Sequence, residues 1–351
     1  MSALPPNALH GAIQKLAFRE PLSADDAQAA FDIVMRGEAT EVQVAALLAA
    51  LRATGESAEV VAGVVRALRN AMISLSADDP DGLVDTCGTG GGAVPTFNIS
   101  TAAAIVAAGA GVRIAKHGNR SFTTRCGSAD VLEALGVAID VPVATMEASL
   151  REAGIVFMFA PLMHPAMRHV GAVRRELGIP TVMNIVGPLA NPARAGRQVV
   201  GVSDIERAPI LAGALAALGT RHAMVVYGEP GLDEVSPLGP THVVEVVNGS
   251  TTRWTIQPED HGFRKIARED LAGSEPADNA RIILAILDGK GASGARAATI
   301  LNAAAAIYVS GTVKSYADGV AAAKKSIDSG QAKTVLDRLR RASAKPAKRG
   351  T

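Results

Sequence analysis

Cysteine and aromatic residues are scarce in this sequence of 351 residues, and its net charge is close to zero. It contains two cysteines, Cys87 and Cys126, and only 3% of its residues are aromatic. Two cysteines cannot form a disulfide framework or a metal knuckle, so we expect reduced side chains packed in the interior. A net charge of +1 offers no broad positive surface, which argues against nucleic acid or an acidic membrane as a partner.

The sequence also lacks long hydrophobic runs. Its most apolar stretch, residues 101–112, is short and rich in small side chains, as in a buried helix rather than a membrane span. The opening residues MSALPPNALHG show none of the charged and apolar regions of a signal peptide. We therefore expect a cytoplasmic protein, with enough hydrophobic residues (48%) for two sizeable cores.

The first 76 residues carry only helical signals. Ser23 and Thr40 begin capping patterns, and Gly37 and Gly55 stand where the helices that follow them should end. This region contains no cluster of catalytic side chains, so it is expected to serve as a scaffold or a dimer interface. A polar break at residues 78–82 separates it from the rest of the chain.

From residue 83 the pattern changes to short apolar strands that alternate with helices. Strands are predicted at residues 83–87, 112–115, 155–159, 199–202 and 223–227, with a hairpin of residues 241–247 and 251–257. Helices are predicted at residues 101–110, 129–135, 145–153, 165–177, 207–218, 279–287, 295–309 and 317–326. Such alternation predicts the α/β class, with a central, mostly parallel sheet flanked by helices.

We divide the chain accordingly into two domains. Residues 1–76 form a small all-helical domain, which a helical segment around residues 165–190 joins in space. Residues 80–164 and 191–341 form the larger α/β domain. Residues 342–351, with three basic side chains and no acid, are expected to be a flexible tail.

A glycine-rich turn follows the first predicted strand. Residues 88–93, GTGGGA, match the letters of the dinucleotide fingerprint G-x-G-x-x-G/A. That fingerprint also requires an acid at the end of the next strand, where this sequence has Lys116 and His117. No G-x-x-x-x-G-K-S/T occurs, which excludes a Walker P-loop. A glycine turn without any ligand stays open as an alternative at this point.

Several hydrogen-bond donors surround this turn in the sequence. Asn98, Ser100 and Thr101 stand at a helix start, Lys116 follows a strand, and Ser128 is predicted to cap a further helix. Each hydroxyl alone is more commonly a plain helix cap than a ligand contact. Their convergence within one βαβ unit predicts a site for a ligand that carries several phosphates.

Two further groups are candidates for binding. Asp233 and Glu234 are adjacent carboxylates in a loop after a strand, which suits Mg²⁺ bridging to phosphates, although two solvated loop acids are the alternative. His164 and Arg174 lie about three helical turns apart. Arg174 could bind a carboxylate, whereas Arg175 is assigned to a solvated face.

Taken together, these motifs resemble the anthranilate phosphoribosyltransferase family over nearly the whole chain. Lys116–Arg120 (KHGNR), residues 187–192 (GPLANP) and residues 232–236 (LDEVS), in that order, are the most specific. The other motifs are GTGG at 88–91, FNIST at 97–101, GSADVLEALG at 127–136, FAPLMHPAM at 159–167, VRRELGIPT at 173–181 and LNAAAAIYVSG at 301–311.

The resemblance implies a homodimer formed through the helical domain, Mg²⁺ as cofactor, and phosphoribosyl pyrophosphate and anthranilate as substrates. It implies phosphoribosyl pyrophosphate contacts from Gly88, Gly91, Thr96, Asn98, Ser100, Thr101, Lys116 and Ser128. It implies anthranilate contacts from Gly88, His117, Asn119, His164, Arg174, Gly187 and Pro188, and metal contacts from Ser100, Asp233 and Glu234. No residue is assigned as a catalytic acid or base, because an aryl amine is already neutral at pH 7 and needs little activation.

One position departs from the family's pattern. Where the family commonly has an aspartate after GTGG, this chain has Gly92. A carboxylate there would repel phosphates and compete for the metal. We hypothesise that its loss lowers the demand of the site for Mg²⁺ and makes the turn more mobile without abolishing activity.

Three other classes are weighed against this interpretation. A pyrimidine nucleoside phosphorylase would share the architecture, but it would have little use for the LDEVS pair. A non-catalytic, nucleic-acid-binding paralogue should carry a basic face, which a net charge of +1 does not supply. An NAD-dependent dehydrogenase is disfavoured by the basic residues at 116 and 117.

Overall fold

A computed structural model describes residues 7–121, 125–264 and 266–344. Its seven strands are β1 (Val84–Gly88), β2 (Ile114–Gly118), β3 (Ile155–Phe159), β4 (Arg197–Gly201), β5 (His222–Gly228), β6 (Thr241–Val247) and β7 (Ser250–Ile256). The helices are α1 (Ala8–Ala17), α2 (Ala24–Met35), α3 (Glu41–Thr54), α4 (Ala58–Ala71), α5 (Ile99–Gly109), α6 (Ser128–Ala134), α7 (Val143–Ala153), α8 (Ala160–Met163), α9 (Arg168–Leu177), α10 (Arg207–Ala217), α11 (Pro276–Leu287), α12 (Ser293–Val309), α13 (Tyr316–Asp328) and α14 (Gln331–Ser343).

The strands form one sheet in the order β3-β2-β1-β4-β5-β6-β7. The five strands from β3 to β5 are parallel, and β6 and β7 continue the sheet antiparallel. The mostly parallel α/β architecture predicted from the sequence is therefore confirmed. The predicted hairpin is also confirmed, with Asn248 and Gly249 both at positive φ in its turn.

Helices cover both faces of the sheet. Successive strand residues point to opposite faces, so each strand contributes side chains to two separate cores. Val199 and Met224 pack in the core that contains α5 and α12, whereas Val200 and Val225 pack in the core that contains α10 and the first helices. Helix α12 is buried almost throughout, as expected from its 17 residues, most of which are small or apolar. Within the part of the chain that the structure describes, no helix is long and apolar enough to cross a membrane.

The N-terminal region is helical, as predicted, and its capping boxes at Ser23 and Thr40 are both present. Helix α9 packs against α2 and α3, so the segment after residue 165 does return to the N-terminal helices. The helix predicted at residues 165–177 begins with a short 3-10 turn and becomes regular only at Arg168.

Three local predictions are corrected. Strand β2 runs to Gly118, so Lys116 and His117 lie within the strand rather than after it. Ser128 is the first residue of α6, and Gly127 occupies the cap position. Residues 342 and 343, assigned to the flexible tail, end α14, a helix that the sequence analysis missed, while residues 345–351 lie outside the described residues.

Four neighbouring strands end in glycine at the carboxyl edge of the sheet: Gly118 of β2, Gly88 of β1, Gly201 of β4 and Gly228 of β5. None of the four has a positive φ, so conformational freedom is not the reason for glycine. A Cβ atom on Gly201 would lie 1.7 Å from the carbonyl oxygen of Asp233, and one on Gly228 would lie 2.4 Å from that of Glu234. Glycine at this edge therefore allows the 233–234 backbone to pack directly onto the strand ends.

We expect Gly201→Ala to lower the free energy of unfolding by about 1–3 kcal/mol or more, because the loop must move to admit the methyl group. Gly11→Ala is the matched control, since a Cβ on Gly11 of α1 meets no atom within 4 Å. Alanine in that helix should be neutral or stabilising by up to ~1 kcal/mol. Urea denaturation measures both, and equal stabilities of the two variants would contradict this explanation of the glycine edge.

Candidate active site

The carboxylates of Asp233 and Glu234 lie against the glycine turn and the start of α5. Asp233 Oδ2 accepts a hydrogen bond of 2.9 Å from Gly90 N, and Glu234 Oε1 accepts one of 3.1 Å from Ser100 N. A Cβ on Gly88 would lie 2.5 Å from Asp233 Oδ2, so a larger residue would have to displace this carboxylate. The structure thus brings the carboxylate pair, the glycine turn and the first turn of α5 together at one place.

Both carboxylates are half-buried, and the loss of solvent around them changes their ionisation. The pKa of Glu234 is raised to about 8, first by burial and then by the neighbouring Asp233. The pKa of Asp233 is also raised by burial, against the hydrogen bond from Gly90. Two half-buried acids side by side favour a nearby cation, because a cation would offset both their desolvation and their mutual repulsion.

Lys116 is the buried cation nearest to this pair. Its Nζ donates to the carbonyl oxygen of Thr86 and, at 3.2 Å, to Ser100 Oγ, and the side chain is only 3% exposed. Burial lowers its pKa, while Asp85 and Glu234 act in the opposite direction. Lys116 therefore places its charge beneath Ser100 instead of pointing into open solvent.

Asn98, which caps α5, and Ser128 of α6 bond to the loops beside the turn. The Asn98 amide donates to Cys126 O at 3.1 Å, and its oxygen accepts from Asn279 Nδ2 at 2.9 Å. Ser128 Oγ donates to Asn119 O at 3.2 Å, and Gly118 provides the space for it. The hydrogen bonds of these two side chains thus order the loops beside the turn.

Thr101 and Thr96 are less clearly connected to the site. Thr101 is 1% exposed, and its Oγ1 has no hydrogen-bond partner among the described residues. Thr96 is half-buried immediately before Phe97. Gly91, at positive φ, faces Ser203 Oγ rather than the carboxylates.

His117 and His164 form a pair of buried imidazoles with ring centroids 4.9 Å apart. His117 makes a hydrogen bond to the backbone of Gly187, and His164 makes one to that of Ala190. The Nε2 atoms of both rings are buried without a partner among the described residues, so Nδ1 is the donor in each case. Burial lowers the pKa of His117 to about 3 and that of His164 to about 4, which keeps both rings neutral at pH 7 with Nε2 free to accept.

The turn at residues 187–190 holds these rings, and other elements hold the turn. The carbonyl oxygen of Pro188 accepts from Gln198 Nε2 at 2.9 Å, and that of Leu189 accepts from the Arg69 guanidinium at 2.8 and 3.2 Å. Cys87 Sγ also lies 3.7 Å from the Pro188 oxygen. Side chains from β1, β4 and α4 thus fix the turn that orients both histidines.

A buried acid, Asp85, continues this network into the sheet. Its two oxygens accept from His117 N at 3.1 Å and from Asn191 Nδ2 at 2.7 Å. Burial raises its pKa to about 6, although Lys116 and these hydrogen bonds oppose the shift. The sequence analysis missed Asp85, Asn191, Gln198 and Arg69, and only the motif containing Asn191 gave a signal for any of them.

Arg174 lies on the last turn of α9 and is half-buried, and burial lowers its pKa. No hydrogen bond or ring contact within the described ranges joins it to the histidine pair. Its neighbour Arg175 is exposed, as the sequence analysis expected.

Comparison with known proteins agrees with this fold. Residues 10–72 match the helical bundle domain of a glycosyl transferase family, and residues 80–333 match the a/b domain of that family. These matches define the class as glycosyl transferases with a helical bundle in front of an α/β domain.

The relatives within that class carry one name. An anthranilate phosphoribosyltransferase of Rubrobacter xylanophilus is 48% identical over 97% of this chain and 99% of its own length. One of Brucella canis is 46% identical over 93% of this chain and 95% of its own. The protein therefore belongs to the anthranilate phosphoribosyltransferase family.

Solved structures extend the likeness to three dimensions. The anthranilate phosphoribosyltransferase of Thermus thermophilus is 40% identical, with a TM-score of 0.89 over 94% of this chain and 98% of that one. The Saccharomyces cerevisiae enzyme, solved in complex with PRPP and Mg, is 30% identical, with a TM-score of 0.87 over 95% and 97%. The yeast enzyme has also been solved in complex with 4-fluoroanthranilate.

The lowered pKa of His164 predicts a pH-dependent contribution to stability. The unfolded chain takes up a proton near the ordinary pKa of 6.5, whereas the folded ring does so only near 4. The folded state therefore loses stability relative to a His164→Asn variant as the pH falls from about 7 to 4, by about 3 kcal/mol in total. Urea denaturation of both proteins across this range measures the difference, and curves that stay parallel would contradict the neutral buried ring.

Proposed function

We propose that the protein transfers the 5-phosphoribosyl group of phosphoribosyl pyrophosphate to the amine of anthranilate and releases pyrophosphate. The observation that carries this proposal is the half-buried pair Asp233 and Glu234, hydrogen-bonded to the glycine turn and to the first turn of α5. The names of the relatives support the same reaction and favour it over a nucleoside phosphorylase or a nucleic-acid-binding protein.

Mg²⁺ fits the carboxylate pair. Carboxylate and hydroxyl oxygens are the ligands that Mg²⁺ prefers, and it commonly completes its shell with water and substrate phosphates. Within the described residues no group of three or more acidic, histidine or cysteine side chains forms a metal cluster, which suits a metal shared with phosphates. Asp233 and Glu234 would hold the ion, the Ser100 hydroxyl would lie near a second one, and the metal would neutralise charge on the pyrophosphate leaving group.

The residues around the glycine turn would bind the donor. Gly88, Gly91, Asn98, Thr96 and Thr101 line or adjoin the turn and the start of α5, where helix N–H groups favour phosphate. Ser128 and Lys116 belong to the same set by their positions in the neighbouring loop and strand. As the bond to the sugar breaks, negative charge grows on pyrophosphate, and donors already held in place stabilise it without reorganisation.

The acceptor would bind next to the histidine pair. The rings of His117 and His164 are neutral at pH 7, so they would lie beside the amine without protonating it. Gly88, Asn119, Gly187 and Pro188 would line the same pocket. The aryl amine is neutral at pH 7, so positioning suffices and no residue is needed as a strong base.

A homodimer formed through the helical domain is part of the proposal. Phe18 after α1, Val42 of α3 and Ile179 after α9 are large apolar side chains that are 71%, 79% and 45% exposed. Helices α1 and α9 both pack against α3, so these side chains belong to one region of the molecule. Apolar surface of this kind is typical of interfaces. We also propose the domain limits and the cytoplasmic location given by the sequence analysis.

The direct test of the activity is a mixture of anthranilate, phosphoribosyl pyrophosphate, Mg²⁺ and protein. Loss of anthranilate fluorescence that requires all four components is the expected result. Unchanged fluorescence, with phosphorolysis of a pyrimidine nucleoside in a parallel assay, would instead support the alternative enzyme.

Arg174→Ala should raise the KM for anthranilate about tenfold or more and leave the KM for phosphoribosyl pyrophosphate nearly unchanged. The reason is the loss of a charge-assisted hydrogen bond to the carboxylate of the acceptor. Arg175→Ala, at an exposed position on the same turn, is the matched control and should change neither constant. Equal effects of Arg174→Ala on both substrates would count against this role.

Gly92→Asp tests why this chain lacks the acid of its relatives. A Cβ on Gly92 would lie 3.1 Å from Asp233 Oδ1, so the new carboxylate would stand beside an existing one. Repulsion of about 1 kcal/mol should weaken donor binding about fivefold at low Mg²⁺, and added Mg²⁺ should restore it.

The matched control for this change is Gly92→Asn, which has the same shape without the charge. Titration of the KM for phosphoribosyl pyrophosphate against Mg²⁺ compares the three proteins. Identical Mg²⁺ profiles for Gly92→Asp and the unaltered protein would refute the hypothesis.

A further inference from the structure

Asn302 is a buried amide in the middle of α12, a helix whose other buried residues are mainly alanine, isoleucine and leucine. It is 3% exposed, and its side chain forms hydrogen bonds with the backbone of Val235 and of Ala298. Its Oδ1 accepts from Val235 N at 2.8 Å, and its Nδ2 donates to Val235 O at 2.9 Å. One side chain thus pairs with both polar groups of one residue, as a neighbouring strand would.

The orientation of this amide is fixed by a third hydrogen bond. Nδ2 also donates to Ala298 O, one turn earlier in α12, at 2.9 Å. Both protons of Nδ2 and the oxygen therefore have partners, and a flipped amide would place a donor against Val235 N. Asn302 can hold Val235 in only one arrangement.

Val235 directly follows the two carboxylates of the site. On one side, the glycine edge leaves room for the backbone of Asp233 and Glu234 and sets how closely it can approach the sheet. On the other side, the bidentate contact from Asn302 holds the next residue, which is itself fully buried. A buried backbone N–H and C=O without partners would be costly, so the loop depends on this side chain.

A buried polar side chain in an apolar helix costs free energy unless it is satisfied. Asn302 is satisfied, and its replacement by an apolar residue would leave the N–H and C=O of Val235 without this partner, which is costly. Here the amide satisfies backbone groups at one position only, next to Asp233 and Glu234.

We propose that Asn302 is a positioning residue that holds Asp233 and Glu234 in the arrangement needed to bind the metal-bridged donor. This inference rests on the proposed function, because it assigns the carboxylates to that ligand. Asn302 touches neither carboxylate through its own hydrogen bonds and acts through the backbone of Val235.

The test compares Asn302→Leu, which keeps the shape and removes the hydrogen bonds, with the smaller Asn302→Ala. Thr299→Val is the matched control, because Thr299 is also fully buried in α12 but its Oγ1 bonds only Ala295 O within the helix. Hydrogen–deuterium exchange of the peptide around residues 233–236 in the free protein reports on the loop. Calorimetric titration with phosphoribosyl pyrophosphate at several Mg²⁺ concentrations reports on the site.

Both Asn302 variants should exchange this peptide about tenfold faster and need about tenfold more Mg²⁺ for half-maximal donor binding. Their KM for anthranilate should stay within about twofold of the unaltered value, and Thr299→Val should change none of the three readouts. Asn302→Leu with unaltered exchange and unaltered Mg²⁺ dependence would overturn the proposal, as would equal changes in Thr299→Val. An unaltered protein that binds no donor would instead contradict the proposed function, and the exchange arm would still decide whether Asn302 holds the loop.

Discussion

The close approach of the 233–234 backbone to the ends of β1, β4 and β5 is the constraint on which the site depends. Three neighbouring strands can present their carboxyl ends to one loop only where no side chain intervenes, and glycine stands at all three ends. Because the loop packs so closely against the strand ends, the Asp233 carboxylate accepts a hydrogen bond from Gly90 N and the Glu234 carboxylate accepts one from Ser100 N. The loss of solvent around them raises the pKa of both acids, and a divalent cation bound there would favour their ionised forms.

A second fixed element, the turn at residues 187–190, relates the helical bundle to this site. Arg69 of α4 holds its Leu189 carbonyl, Gln198 of β4 holds its Pro188 carbonyl, and the histidine rings hold its ends. The bundle therefore contributes to the orientation of the imidazoles as well as to a candidate interface. Both sites of the proposed reaction then rely on positioned groups. The carboxylates and N–H groups would serve the leaving group, and the neutral imidazole rings would serve the amine.

Hydrophobic periodicity, together with helix-capping and turn residues, made much of this fold predictable. The α/β class, the N-terminal helices, β3 and the hairpin at Asn248 follow from alternation, capping residues and turn residues, which are local signals. The end of β2 was placed too early because Lys116 and His117 are polar, and only the tertiary structure shows that a buried strand accommodates them.

The residues of the candidate site also divide into those with local sequence signals and those that depend on the tertiary structure. Gly88, Lys116, Asp233 and Glu234 could be named from motifs, since each motif keeps its chemistry within a few residues. Asp85, Arg69 and Asn302 could not, because their partners lie 32 to 120 residues away along the chain. A buried Asn in an alanine-rich helix was visible in the sequence, but its contact with Val235 needs the packing of α12 on the sheet to be known.

The central claim is that the donor's pyrophosphate lies between the glycine turn and the Asp233–Glu234 pair. The most direct test is a crystal structure of the protein with phosphoribosyl pyrophosphate and Mn²⁺ in place of Mg²⁺, with the metal located by its anomalous scattering. The account predicts an anomalous peak coordinated by Asp233 or Glu234 and by pyrophosphate oxygens beside residues 88–92. A metal and pyrophosphate bound elsewhere, with these carboxylates still hydrogen-bonded only to Gly90 and Ser100, would contradict it.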